Sequence, residues 1–367
     1  MALERAYLRN LMLSLGDQEA SYDAGISSWA APFAHSLMEY PDSSAHEQYD
    51  DMVQPNNDLV THYEFSTHQE IVRQSVRIAY EEPRLKVNTF AGLLALTLGV
   101  PVTTQDGVLT AYRHKLIPAS STGLPSIAAQ VKRDGGSQYK YTGIHADGFV
   151  LSNNGAYWQG ASTLVGSGTR VVAADAFPAF FDENWLLWGD GYLWILDTGG
   201  TPAVPGTPIT IPATPVQLAT NLGGGAVELG TRTRGFTLNW NNNLEADLGY
   251  KMGGGRVRKQ FYPTRRTATV TIQFEIDSAT EATEIAYYLS QKQMAMELQI
   301  SAGNLIAAGG AFRYGLTIIL PRVQFMAPTF SQAGQLENIS FEANVMDDKS
   351  NPACIAYAYN SVAAYLV

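Results

Sequence analysis

The sequence predicts a mainly β fold: an antiparallel β-sandwich or half-barrel with a short flanking helix. Three observations carry that reading. Apolar and polar residues alternate at Val270, Ile272, Phe274 and Ile276, at Met294, Met296, Leu298 and Ile300, at Phe312, Tyr314, Leu316, Ile318 and Leu320, and at Ile339, Phe341, Ala343 and Val345. Each stretch predicts a strand with one dry and one polar face. Asp-Gly pairs begin at 106, 134, 147 and 190, and Asn154-Gly155 adds a fifth. Such pairs tolerate the positive φ angles of tight hairpin turns. Composition agrees: 46% hydrophobic residues exclude wholesale disorder, and 16% charged residues fall below the usual ~25%. With 33 Gly and 19 Tyr, the chain suits turns, strands and surfaces that another subunit covers.

The elements follow in order. Leu3, Tyr7, Leu11 and Leu15 recur at i, i+4 and stop at Gly16, predicting a short amphipathic helix over 3–15. Residues 39–58 carry Glu39, Asp42, Glu47, Asp50, Asp51 and Asp58 among Pro, Asn and Ser, and read as a solvated acidic loop or arm. Residues 69–80, with Val72, Val76 and Ile78, read as extended. Asn88 then caps an apolar run over 90–98 that Gly99 and Pro101 stop, predicting a short buried helix. Among the later strands, Ser278 and Glu281 have capping-box spacing and precede Ile285, Ala286, Tyr288 and Leu289 on one side of a second helix. Residues 198–225 hold five of the 17 Pro and six Gly, an extended, exposed connector.

A length of 367 residues fits two or three domains at ~150 residues each, or one large β domain with insertions. The expected division is an arm with a first strand-helix segment over 1–100, integrated with the rest, a β domain over 101–350 with a variable connector at 198–230, and a terminal segment over 351–367. No secretory segment opens the sequence and no run of ~18 apolar residues would span a membrane, so a soluble protein made in the cytoplasm is expected.

Charge and chemistry narrow the function. The chain has 24 basic and 34 acidic side chains, a net of -10. Residues 1–100 contribute 14 acidic and 6 basic, whereas 201–300 contribute 8 acidic and 9 basic. A sequence-specific DNA reader concentrates Lys and Arg against phosphates, and this balance does not. The single Cys354 excludes an intramolecular disulfide framework and a cysteine-rich zinc cluster. The six His are scattered, and His62 and His68 share no helical face. There is no G-x-S-x-G elbow, and neither Gly223-Gly224-Gly225 nor Gly253-Gly254-Gly255 has phosphate-loop spacing. No catalytic residue, metal or cofactor is therefore expected. Abundant carboxylates leave only a weak opening for a glycosidase.

Two features stand out. Residues 251–266 carry Lys251, Arg256, Arg258, Lys259, Arg265 and Arg266 with no acid, and Phe261 and Tyr262 lie among them. The bland reading is a solvated hairpin tip; the favoured one is docking on the acidic residues of an identical subunit. The second feature is aromatic density at Phe177, Phe180, Phe181, Trp185, Trp188, Tyr192 and Trp194, with Asp190-Gly191 as a hairpin tip. Core plus interface is preferred there over a sugar-binding platform.

Several segments in series resemble the tail tube proteins of long-tailed bacteriophages. They are Tyr112-Arg113-His114 leading to Leu124-Pro125-Ser126, then the hairpin at 139–143 running to 149–152. A strand from Phe236 ending in Asn242-Asn243-Leu244-Glu245 follows, then 266–276 with the helix after it, and 334–341. The match covers about 110–345 in order. No single motif carries chemistry; the ordered series does.

The resemblance implies a sandwich whose subunits form rings, usually hexameric, and close into a multi-subunit β-barrel. Rings stack into a hollow tail tube, the conduit for genome passage. It implies as partners the chain itself, a tape-measure protein, terminator and baseplate or distal tail proteins, and, in contractile tails, a sheath. Assembly in the host cytoplasm and a place in the virion follow, without membrane insertion. Double-stranded DNA would pass without adhering. The polar faces at Thr269, Thr271, Gln273 and Glu275, and at Asn338, Ser340, Glu342 and Asn344, hold no Lys or Arg and are expected to face the lumen. Rival readings are a tail terminator, a capsid decoration protein, and a carbohydrate-binding sandwich built on the tryptophans.

Overall fold

The computed structural model describes residues 10–25, 34–35, 46–56, 68–119, 123–132, 137–153, 155–173, 185–197, 209–245, 249–276, 278–333 and 336–367. Its principal elements begin with β1 (Asn10–Ser14), β2 (Val76–Glu82), α1 (Val87–Leu98), β3 (Tyr112–Leu116) and β4 (Ile127–Lys132). They continue with β5 (Tyr139–Asn153), β6 (Trp158–Gly166), β7 (Gly191–Asp197), β8 (Thr233–Asn241) and β9 (Thr267–Glu275). The last are α2 (Ser278–Leu289), β10 (Gln293–Leu305), β11 (Arg313–Phe325), β12 (Leu336–Val345) and β13 (Ile355–Asn360).

Every ladder between named strands is antiparallel, as the hairpin pairs require. One sheet runs β2, β6, β5, β8, β9, β12, with His46–Tyr49 beside β2 and Thr329–Ala333 beside β12. A second runs β7, β10, β11, β13, β3 and then Val102–Gln105. A third sets β1 against β4, and β4 against the start of β5. Two long strands turn the corners between these sheets. β5 pairs with β4 up to Ile144 and with β6 from His145 onward, while β11 pairs with β13 through Ile319 and with β12 from Val323. The result is a barrel-like sandwich.

α1 fills its middle. All twelve of its residues are buried, against β3, β5, β11 and β13. A helix this largely apolar, with only Asn88, Thr89 and Thr97 polar, is stable only inside such a core. Gly92 lets Leu15 approach, since a Cβ there would lie 2.8 Å from the leucine Cδ1. At the helix end Gly99 adopts φ 138 and its N–H donates to Ala95. The N-cap is Lys86 and not Asn88, which lies one residue inside the helix; the cap has no side-chain hydrogen bond. α2 is the flanking helix, with Glu284 buried and Leu289 exposed. Among the described residues no helix is long and apolar enough to cross a membrane.

Several further sequence expectations change, among them the hairpin at 139–143, which is continuous strand within β5. Residues 10–14 form strand β1 and not a helix, because Leu11, Met12 and Leu13 are all buried, which a two-sided strand achieves and a one-sided helix does not; residues 1–9 lie outside the described set. The acidic stretch is strand at His46–Tyr49 and Met52–Asn56. Asp147-Gly148 is a bulge within β5, where the register shifts between Ala146 and Gly148. A Cβ on Gly148 would sit 2.2 Å from the Trp240 carbonyl oxygen. Asp190 ends a 3-10 turn, Trp188–Asp190, that leads into β7 and is no hairpin tip. Finally β10 and β11 bury both faces over most of their length, and Asn221 and Leu222 of the expected exposed connector are buried against them.

Candidate assembly surfaces

The eight residues expected to share a polar face are brought together as four cross-strand pairs: Thr269 with Asn344, Thr271 with Glu342, Gln273 with Ser340, and Glu275 with Asn338. Their apolar neighbours Val270, Ile272, Phe274, Ile339 and Phe341 point into the core, so alternation fixes this face. Asn338 is itself buried; Thr271, Glu342 and Asn344 are exposed. The face continues far beyond the two strands. One row of partners reads Glu81, Ala161, Val150, Asn239, Thr269 and Asn344 across six strands. The next reads Gln159, Ser152, Thr237, Thr271 and Glu342. Hydroxyls, amides and small apolar groups fill its centre, and charge stands at its edges. Arg234 reaches Glu275 in an exposed ion pair from the bulged start of β8. Sequence reading missed the β5, β6 and β8 share of this face, although Phe236, Leu238 and Trp240 carried the same period-two signal.

The basic run is partly committed to its own subunit. Arg258 is buried; its guanidinium lies over the Phe261 ring at 4.6 Å and donates to the Ser75 hydroxyl at 3.1 Å. Arg266 donates to the Ala119 carbonyl at 2.5 Å, and burial lowers its pKa. Arg256 lies 4.0 Å from Glu70. Lys251, Arg256, Lys259 and Arg265 are exposed. On the acidic side, Asp51 accepts from Arg170 at 2.7 Å and from the Ser75 N–H at 3.1 Å. Glu47 is half-buried and Asp50 exposed; Glu39, Asp42 and Asp58 lie outside the described residues.

The aromatic region divides in the same way. Phe177, Phe180 and Phe181 are outside the described set. Trp185 and Tyr192 are exposed, Trp194 is buried, and Trp188 packs on Trp158 with ring centroids 4.8 Å apart. Trp158, Trp188, Tyr192, Trp194 and Phe236 line a cavity of about 430 Å³ that opens beside the exposed Leu218.

Three buried polar clusters went unread in the sequence, because their members are distant in the chain. Glu19 accepts from the Ser126 hydroxyl at 2.7 Å and from the Gly25 and Gly143 N–H groups, and burial raises its pKa despite these donors. Glu297 accepts from the Asn221 amide at 2.6 Å and from its N–H at 2.7 Å; burial raises its pKa too. His114 donates from Nε2 toward Asn360 Oδ1 and the Val362 carbonyl, while its Nδ1 accepts from the Thr103 hydroxyl at 2.9 Å. Two acceptors at Nε2 fix the neutral tautomer, and burial lowers its pKa to about 4. These groups are tied to backbone and amides and do not converge on a cleft. Cys354 is wholly buried and its thiol pushed up to about 12, far from a thiolate nucleophile. Among the described residues no group of three or more His, Cys, Asp or Glu could hold a metal ion.

Comparison with known proteins matches residues 82–345 to the model of the phage tail tube protein family. No curated protein matches the chain. Among solved structures, the chain is similar to a component of the anti-feeding prophage baseplate, at 10% identity and TM-score 0.26 over 47% of this chain and 95% of that one. It is similar to an Hcp protein at 8% identity and TM-score 0.24, over 42% of this chain and 84% of that one. A third is a variant of the Hcp1 protein from the E. coli EAEC 042 pathovar, at 13% identity and TM-score 0.23, over 45% and 96%. The family match takes in every strand of the polar face from β6 through β12, and with it the chain belongs to the phage tail tube protein family, a structural component of the virion and not an enzyme class.

Proposed function

We propose that the subunit closes into hexameric rings that stack as a hollow tail tube, with the polar face of β9 and β12 lining the lumen and the genome passing through it. The observation that carries this reading is the row from Glu81 to Asn344: six strands present small, mostly uncharged side chains side by side. Each Lys or Arg on a DNA-facing wall would add a phosphate contact, and salt-dependent adhesion with it. A wall of Thr, Ser, Asn, Gln, Ala, Val and carboxylate, with its arginines Arg77 and Arg234 confined to the margins, lets the polyanion slide. Ring closure also gives the edge strand Thr329–Ala333 a partner. Its Phe330 is 56% exposed although it sits opposite the buried Ile339, an edge that a monomer leaves open to aggregation.

Within this reading the exposed Lys251, Arg256, Lys259 and Arg265 meet acidic residues of a neighbouring copy. The tape-measure protein occupies the lumen before ejection, terminator and baseplate or distal tail proteins cap the ends, and a sheath surrounds the tube in a contractile tail. The test is electron microscopy of the purified chain at rising concentration in low salt. Hollow rods with a regular axial repeat are expected, and single rings that never stack point to a terminator instead. Glu275→Lys with Glu342→Lys should leave rods intact but slow DNA delivery by assembled virions; unchanged delivery removes this face from the lumen.

A further inference from the structure

The loop that carries the basic run ends in a feature the charge argument does not use. Met252 is fully exposed at its tip, between Lys251 and three glycines, with Gly253 and Gly255 at positive φ and open space around both. The loop is anchored at the Gly166 end of β6, where the Arg258 N–H donates to the Ser167 carbonyl at 2.9 Å. Trp158, at the opposite end of β6, lines the aromatic cavity of about 430 Å³. Nine residues of strand separate the two features, roughly 26 Å at a strand rise of ~3.3 Å per residue. An apolar knob and an apolar hole thus lie at opposite ends of one strand.

We infer that the Met252 tip of one copy inserts into the aromatic cavity of the next, stacking copies head to tail along β6. This rests on the tube reading and specifies its ring-to-ring contact. The two surfaces cannot meet within a subunit, but a shift along the strand brings them together, and such a heterologous contact repeats without limit. Charge complements shape. Of the basic side chains in residues 251–266, Lys251, Arg256, Lys259 and Arg265 are exposed, and the run holds no acid. Glu228, which lines the cavity, and Asp190, beside it, have no cationic partner among the described residues. Methionine suits the hole, because its unbranched, polarisable side chain adapts to irregular gaps and packs well against aromatic edges. The flanking glycines let the tip reshape as it enters.

Two variants test the contact without touching the core. Met252→Asp alters a fully exposed tip, and Gly189→Arg places a side chain at the cavity mouth where a Cβ meets nothing within 4 Å. Each alone should form rings but no rods. Assembled separately and then mixed, they should give stacked pairs and nothing longer, since one sound interface remains between a Met252→Asp ring and a Gly189→Arg ring. Rods of ordinary length from either variant overturn the inference while leaving the tube reading intact. Absence of rods from the unaltered chain counts against the tube reading, and a second measurement then decides the contact. The doubly substituted Met252→Cys, Gly189→Cys chain, treated at high concentration with a bismaleimide, should give a ladder of dimers, trimers and longer species, with the buried Cys354 silent. No product beyond a dimer overturns the contact, as does saturable binding of chito-oligosaccharides that Trp188→Ala abolishes.

Discussion

β9 and β10 share a sequence pattern and meet opposite fates. Both alternate apolar with polar residues, and both sit inside antiparallel sheets. In β9 the polar positions Thr269, Thr271 and Gln273 are exposed or half-buried. In β10 the polar positions Glu297 and Gln299 are as buried as the methionines beside them. The difference is a segment of the same chain. Residues 216–222 lie across β10, with the Leu218 N–H donating to Gln299 Oε1 at 2.6 Å and Asn221 holding Glu297. Beneath them Trp194, Leu222, Ile319, Ile355, Tyr357 and Tyr359 form a second apolar cluster. Alternation therefore states which residues share a face, and only the tertiary fold states whether that face meets water, its own chain or another copy.

The sharpest way to break the comparison is to empty each face in turn. Ile319→Ala, on the second face of β11, should cost about 2–5 kcal/mol in urea unfolding, because it leaves a cavity in a packed cluster. A cost near zero would mean that face is not sealed. Acid comes next. The His114 pKa is lowered to about 4 by burial, so its contribution to stability is complete above its unfolded value near 6.5 and is lost as pH falls through 4. Full protonation of the folded state against this shift costs about 3 kcal/mol. Unfolding midpoints measured between pH 7 and 4 should fall for the unaltered chain and fall less for His114→Gln.

A smaller effect is expected at the polar seal. Asn221→Ala removes donors from a buried carboxylate and should cost about 1–3 kcal/mol. Burial raises the Glu297 pKa, so that group favours folding below about 4.5 and its contribution is lost as pH rises through the raised value. The Asn221→Ala loss should accordingly be larger at pH 7 than at pH 4. The smallest effect belongs to the open face: Thr271→Ala should stay within about 0.5 kcal/mol in thermal or urea unfolding of the monomer. A large loss there would show that the face is covered within the subunit.

These contrasts also mark what was legible in the sequence. The strands β9 to β12 and both helices were readable, because period-two and helical spacing are local signals, and the eight polar-face residues emerged as direct partners. The N-terminal strand was not, since Leu11 and Leu15 satisfy helical spacing by coincidence. Asp147-Gly148 misled for a different reason: a dipeptide suited to a turn also suits a bulge, and the Trp240 carbonyl pressed against Gly148 decides between them. The seal over β10 was hidden in a proline- and glycine-rich stretch that looked like a spacer. Its Asn221 pairs with Glu297, 76 positions away, and nothing near either residue announces the other.

The placement of α1 governs how the molecule comes into being. The helix is buried on all sides, yet β3 and β13 on its flank come from distant parts of the chain, and the His114 bond to Asn360 closes a loop of 246 residues. Contacts of such sequence separation form slowly, on millisecond to second scales in proteins rich in them. During that interval α1 lacks its cover and is a site for sticking. Refolding from urea should therefore be slow, with a yield that falls as protein concentration rises.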